Sequence, residues 1–195
     1  MKKKYHFFAF ISRMKYINRW GLMRNTHPEN IQEHSLQVGV IAHALAVIYN
    51  SVFGGCLNAD RIAVLGIYHD CNETITGDMP TPIKYFNPEI SKAYKDVEAI
   101  SKKKLIDMLP DELKETFSDI LIQEKDDDRC WHIVKAADRI SAYIKCLEEE
   151  KAGNRDFKKA GEAIYKSILQ LELPEVKYFM EKFLPSFLLT LDELD

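Results

Sequence analysis

Two histidines and two aspartates carry the chemistry that this sequence offers. His34 lies in ENIQEHSLQV, His69 and Asp70 are adjacent in GIYHDCNETITGDMPTP, and Asp138 lies in VKAADRISAY. Imidazole and carboxylate groups suit a divalent ion such as Zn2+, Mn2+, Co2+ or Fe2+. Each residue falls within or at the end of a stretch with helical apolar spacing. Three helices could therefore carry the four side chains to one point in a bundle core. Neighbours on a helix point about 100° apart, so His69 and Asp70 can share an ion only if it lies beside the helix. Glu73 would project from the same flank, one turn on. A carboxylate there suits proton handling on a water activated by the ion. A His-Asp dipeptide alone is a weak signal, and a single buried histidine is more often a satisfied core residue than a ligand.

The elements that must position these residues read as helices throughout. The spacing predicts helices over about 4–17, 29–50, 59–75, 88–109, 110–123, 126–152, 155–171 and 174–184. His34, Val38, Ile41, Leu45 and Ile48 form one stripe on the second. Asn58 is a fair N-cap for the third, and Asn87 with Pro88 forms an N-cap and N1 pair for the fourth. Asp126 to Asp128 place negative charge where a helix dipole favours it. No alternating strand pattern, internal repeat or linker is visible, so the expected fold is all-α, a helical bundle forming one domain over 1–195.

Composition narrows the function classes. Apolar residues make up 46% and charged residues 29%, with a net charge of −3. That balance supports a globular core and gives no basic excess pointing to nucleic acid. Cys56, Cys71, Cys130 and Cys146 are scattered and read as reduced thiols, which suggests the cytoplasm. Cys71 would turn too far round the helix to be a third consecutive ligand, and reads as packing. The N-terminal MKKKYHFFAFISRMK is too interrupted for a signal peptide, and no stretch approaches the roughly 18 apolar residues of a membrane span. The charge runs KDDD (125–128) and EEEK (148–151) read as solvated helix faces. The apolar C-terminal YFMEKFLPSFLLTLDEL reads as core or as a subunit interface.

The order and spacing H…HD…D resemble the HD-domain phosphohydrolases. FFAFISRMKYINRWGLMRN, GDMPTPIKYFN, YIKCLEE and YFMEKFLPSF extend the likeness over almost the whole chain to the YfbR-type 5′-deoxynucleotidases. That resemblance implies an α-helical homodimer with one divalent cation per subunit, Co2+, Mn2+ or Zn2+ being the most plausible. It implies release of phosphate from deoxyribonucleoside 5′-monophosphates. On the matching motifs, His34, His69, Asp70 and Asp138 look like the metal ligands and Glu73 like the catalytic acidic residue. Arg19 and Trp20 match residues that meet the phosphate and the sugar. Asp78, Met79, Pro80 and Thr81 match the run that frames sugar and base. Gly21 stands where relatives carry proline, which suggests a looser loop.

Physical roles can be attached to these positions. The Arg19 guanidinium could hold two phosphate oxygens at once and act in catalysis as well as binding. A rigid Trp20 against the ribose C2′ edge would exclude a 2′-hydroxyl. Asp78 could accept from the 3′-hydroxyl. Taken alone, these three would pass as a surface arginine, a packed tryptophan and a turn aspartate. His43 and His132 turn about 180° and 120° away from His34 and Asp138, so one ion is expected rather than two; His6 and His27 cannot be placed by angle. Competing readings are an HD phosphohydrolase acting on cyclic nucleotides, nucleoside triphosphates or an alarmone, a non-catalytic nucleotide- or metal-binding regulator, and a helical scaffold.

Overall fold

The computed structural model describes residues 4–123 and 128–194. The architecture is all-α. Helix α1 (Phe7–Ile11) runs into a 3-10 turn, Ser12–Tyr16. After a long loop come α2 (Ile31–Phe53), α3 (Ala59–Tyr68), and two single-turn helices, α4 (Glu73–Thr76) and α5 (Thr81–Lys84). Then follow α6 (Pro88–Asp107), α7 (Asp111–Leu121), α8 (Asp128–Lys151), α9 (Lys158–Leu169) and α10 (Pro174–Lys182).

Local chemistry explains most of the ends. Asn30 caps α2 by accepting from Glu33 N, and the Glu33 carboxylate returns the bond to Asn30 N. Asn58 and Asn87 accept from Arg61 N and Ile90 N, as their spacing predicts. Beyond Phe53 the chain turns at Gly54, whose φ of 71° favours a residue without a side chain.

One core packs α2 against α3, α8, α9 and α10, with Val38, Ile41, Leu45, Leu65, Ile140 and Ile144 inside it. A second gathers Phe7, Met14, Ile31, Cys71, Leu105 and Leu121 beneath the N-terminal segment. Helices α2 and α3 approach closely at their backbones. A Cβ on Gly66 would lie 2.9 Å from Gly39 Cα and 3.1 Å from Gly39 N. Two glycines thus let the helices bearing His34 and His69 come together, with Gly66 against the Gly39 backbone and the Ile67 side chain lying over Gly39.

Three expectations change. The helix expected over 59–75 ends at Tyr68, although its apolar spacing continues through Cys71 and Ile75. The Gly66 carbonyl, which a continuing helix would offer to Asp70 N, instead accepts from the His69 ring at 2.7 Å. The next turns tighten to i→i+3 bonds, Cys71 N to Tyr68 O and Glu73 N to Asp70 O. The first helix is shorter than 4–17 and half of it is 3-10. The last expected helices also shorten, into 3-10 turns at Arg155–Phe157 and Leu184–Leu188. Asp126 and Asp127 lie outside the described residues, and Asp128 opens α8.

Two readings of apolar and charged stretches also need revision. Helix α2 is long and apolar enough by composition to cross a membrane, contrary to the expectation that no stretch approaches this; here its apolar stripe packs the first core. In the EEEK run Glu148 and Glu150 are exposed, but Glu149 is 1% exposed, so that residue is no solvated face. The apolar C-terminal region divides: Val176 and Phe179 are core, while Leu188, Leu191 and Leu194 are exposed.

The glycine contact yields a prediction. A Cβ in Gly66→Ala meets backbone rather than a side-chain end, so α2 and α3 must part. The variant should lose about 1–3 kcal/mol of stability and bind divalent cations more weakly, because the gap between His34 and His69 widens. Denaturant midpoints and cation titration would show both effects, and unchanged cation affinity would count against this link.

Candidate metal centre

His34 sits on the buried stripe of α2, one turn beyond the Asn30 cap, and is fully buried. His69 closes α3. Asp70 follows in the tightened turn, and Asp138 lies in the middle of α8. One ligand atom each from His34, His69 and Asp70 lies within 4.8 Å of the others. His69 Nε2 is 3.0 Å from Asp70 Oδ2, and His34 Nε2 is 3.7 Å from the same oxygen. Asp138 joins through Oδ1, 3.1 Å from His34 Nε2, and its side chain is 41% exposed. The cluster is thus closed behind the histidines and open on the Asp138 side.

The donor set fits a divalent cation. Both Nε2 atoms are buried without a hydrogen-bond partner, which two core imidazoles would not ordinarily leave. The Gly66 carbonyl can only accept, so His69 Nδ1 carries the proton and its Nε2 lone pair is free to bind. On His34, Nδ1 lies 2.7 Å from Arg19 NH1 and 3.0 Å from Ser141 Oγ, whose hydroxyl donates to Gln37 Oε1 at 2.6 Å.

Charge in the cluster is strongly perturbed. Burial, with the Arg19 charge adding to it, lowers the His34 pKa. Burial also acts to lower that of His69, but the Asp70 carboxylate overrides it and the net shift is upward. Asp70 is itself held well below the usual carboxylate range, against the cost of burial, by His69, His34 and Arg19. Glu73 begins α4, is 7% exposed and leaves Oε2 without a partner. Burial, then the charges of Asp70 and Asp78, push its carboxyl up to about 10.

Arg19 and Trp20 are placed by the loop between the first 3-10 turn and α2. An isolated antiparallel bridge between Asn18 and Asn30 closes this loop at its base. Glu29 Oε2 accepts from Arg19 NH1 at 2.8 Å and from Trp20 Nε1 at 3.1 Å. Trp20 adopts φ 60°, a left-handed conformation costly for a bulky residue. Its carbonyl accepts from Met23 N at 2.8 Å, and its ring packs 5.2 Å from that of Phe157. The sharp turn therefore falls on Trp20 and not on Gly21.

Asp78 is half-buried, and burial with the Asp70 charge raises its pKa while Arg19 and a bond to the Trp20 backbone oppose the rise. Met79 and Pro80 are half-buried, Pro80 precedes the single turn of α5, and Thr81 opens that turn and is exposed. Among the spare histidines, His43 faces Asp60 at 3.7 Å, and His6, His27 and His132 are exposed. Sequence reasoning missed Glu29, Ser141, Gln37 and Gly66. Ser141 had a signal, lying one helical turn after Asp138; Glu29, ten positions from Arg19 in a loop, had none.

Glu73 gives a pH prediction. Unfolded, its carboxyl ionises near the ordinary 4.5, whereas the fold keeps it protonated up to about 10. The folded state therefore binds the extra proton between these values, and this group's effect on stability worsens as pH rises through that window. In chelator, Glu73→Gln should melt a few degrees higher than wild type at pH 8, with the gain vanishing near pH 4. Thermal melts at the two pH values test it; an equal offset at both would refute the shift.

Comparison with known proteins matches this arrangement to a family. A family model described as 5′-deoxynucleotidase YfbR-like matches residues 6–187. A 5′-deoxynucleotidase of Vibrio cholerae is 54% identical over 189 residues, covering 97% of both chains. One from Vibrio parahaemolyticus is 52% identical over 192 residues, covering 98% of this chain and 99% of the relative. Among solved structures, an HD-domain phosphohydrolase from Listeria innocua superposes with a TM-score of 0.81 at 23% identity, covering 94% of this chain and 88% of that one. The cyanophage S-2L HD phosphohydrolase, bound to dA and one catalytic Zn2+ ion, gives 0.63 at 18% identity, covering 92% and 95%. These two share the fold. With a match over nearly its full length and relatives more than half identical, the chain belongs to the YfbR-like 5′-deoxynucleotidase family.

Proposed function

We propose that this chain is a metal-dependent phosphomonoesterase that converts deoxyribonucleoside 5′-monophosphates to deoxynucleosides and phosphate. The observation that carries this reading is the His34, His69 and Asp70 group with two buried, unpartnered Nε2 atoms, flanked by Asp138, Arg19 and Glu73. The names of the more than half-identical relatives support it. His34, His69, Asp70 and Asp138 would hold one divalent cation, with Co2+, Mn2+ and Zn2+ the first candidates. Such an ion supplies a Lewis acid that makes a water more acidic and neutralises phosphate charge.

The chain's own residues do the rest. Arg19 presents a guanidinium that can grip two phosphate oxygens and fix the phosphorus for in-line attack. Hydrolysis forms a bond from water oxygen to phosphorus and breaks that from phosphorus to the 5′-oxygen. One proton must leave the water and one must reach the departing oxygen. In this reading Glu73 handles these protons. Its buried carboxyl holds a proton for the leaving oxygen, and the carboxylate left behind can take one from the attacking side. Trp20, pinned on Glu29 and Phe157, offers a rigid wall that a 2′-hydroxyl would meet. Asp78 can accept from the 3′-hydroxyl, with Met79, Pro80 and Thr81 framing the rest of the nucleoside. Subunit pairing into a homodimer and a cytoplasmic setting belong to the same reading.

Phosphate release should be seen from dAMP and other deoxynucleoside monophosphates with Co2+, Mn2+ or Zn2+. It should be weak or absent from dATP, cyclic AMP and ribonucleotides. Release from cyclic AMP or dATP in preference to dAMP would redirect the assignment. Glu73→Ala should lower kcat by about 10²–10⁴-fold while cation and dAMP binding, followed by calorimetry, persist; intact turnover would remove Glu73 from the chemistry. Metal analysis should find one ion per chain, and His69→Ala should lose it.

A further inference from the structure

We propose that Lys145, Glu149 and Asn154 are positioning residues. They clamp the segment from Arg24 to His27 and so hold Arg19 and Trp20 where a nucleotide meets them. This rests on the nucleotidase reading above, in which Arg19 and Trp20 touch the substrate.

Glu149 and Lys145 are 1% and 4% exposed and form an ion pair one turn apart on α8. The Glu149 carboxylate also accepts from Thr26 N at 2.9 Å, Thr26 Oγ1 at 2.7 Å, His27 N at 3.1 Å and Asn154 Nδ2 at 2.7 Å. Lys145 Nζ donates to the His27 carbonyl, and Asn154 Nδ2 also donates to the Arg24 carbonyl at 2.7 Å. Two amides, a hydroxyl and two carbonyls of one short loop stretch are thus fixed to the end of α8. Their partners lie more than a hundred residues away in sequence.

The clamp reaches Trp20 through Phe157. Phe157 follows Asn154 in the next 3-10 turn, lies under the Lys145 ammonium at 5.5 Å, and packs on the Trp20 ring. A strained left-handed residue persists only where its surroundings over-determine it. Trp20 is held by Glu29 from one side and by this group from the other. Apolar side chains at 145 and 149 could fill the same space, but they would offer nothing to Thr26 N and His27 N. A buried ion pair is often replaceable by apolar residues without loss of stability, which separates positioning from folding.

The test uses the full-length, cation-loaded protein, with Glu149→Gln and the charge-free double variant Lys145→Met/Glu149→Leu. Hydrogen exchange at the amides of Thr26 and His27 should quicken by about tenfold or more, while α2 and α3 stay protected. KM for dAMP should rise about tenfold with kcat changed much less, and the ratio of kcat/KM for dAMP over AMP should fall. Unchanged loop exchange in both variants would overturn the clamp. Faster exchange with unaltered KM and dAMP/AMP ratio would overturn the positioning role, as would loss of protection in α2 and α3 in both variants. A wild-type protein inactive on dAMP would refute the nucleotidase reading instead, and the exchange data would then judge the clamp on their own.

Discussion

Negative charge gathered away from water must be matched, and this requirement organises the molecule. Asp70 and Asp138 meet two imidazoles, with Asp78 and Glu73 close enough to feel them, and the Asp70 charge raises the cost of ionising Asp138, Glu73 and Asp78. Arg19 answers part of that charge from the loop side, with its own pKa raised by Glu29, Asp138, Asp70 and Asp78 despite burial. What remains suits a doubly charged ion between the histidines and the aspartates. Glu73 stands at the edge of this field, deep enough to keep its proton and near enough to feel Asp70. The proposed acid and the proposed cation ligands thus differ by depth and neighbours rather than by residue type.

Two kinds of support hold the two halves of the site. Of the proposed cation ligands, His34 lies on α2 and His69 and Asp70 close or follow α3, two helices brought together at a glycine-to-glycine crossing, so the separation of these three follows from backbone contact. Arg19 and Trp20, which the same reading gives to the substrate, lie on a loop, which has no ladder of its own to keep it still. Its amides and carbonyls are satisfied instead by the β-bridge at Asn18 and Asn30 and by the polar group at the end of α8. Precision in a loop must come from such fixed partners. Here they include a charged pair that the core would otherwise have little reason to enclose.

Much of this was legible in the residues and some was not. The helical class and the caps at Asn58 and Asn87 follow from local chemistry, which a single sequence displays. The convergence of His34, His69, Asp70 and Asp138 rested on the order of motifs, since spacing alone left a core histidine the better reading. The break after Tyr68 was hidden because apolar spacing ran on past it, while the interruption came from a side chain competing for the Gly66 carbonyl. Glu149 was misread because a run of acidic residues looks the same whether all face water or one faces a distant loop. The left-handed turn at Trp20 was equally invisible, since the neighbouring glycine is the residue one would choose for it.

The distance in sequence between Thr26 and Glu149 has a bearing on how the protein matures. As the chain is synthesised from its N-terminus, the loop bearing Arg19 and Trp20 emerges early. Beyond its own bridge and the contacts to Glu29, it finds no further anchor until the far end of α8 has been made. His34 and His69 likewise wait for Asp138. The same late helix completes both the His34, His69, Asp70 and Asp138 group and the support of the Arg19 loop, so on the reading proposed above a nascent chain lacking α8 would have neither a finished place for a cation nor a settled grip on a phosphate.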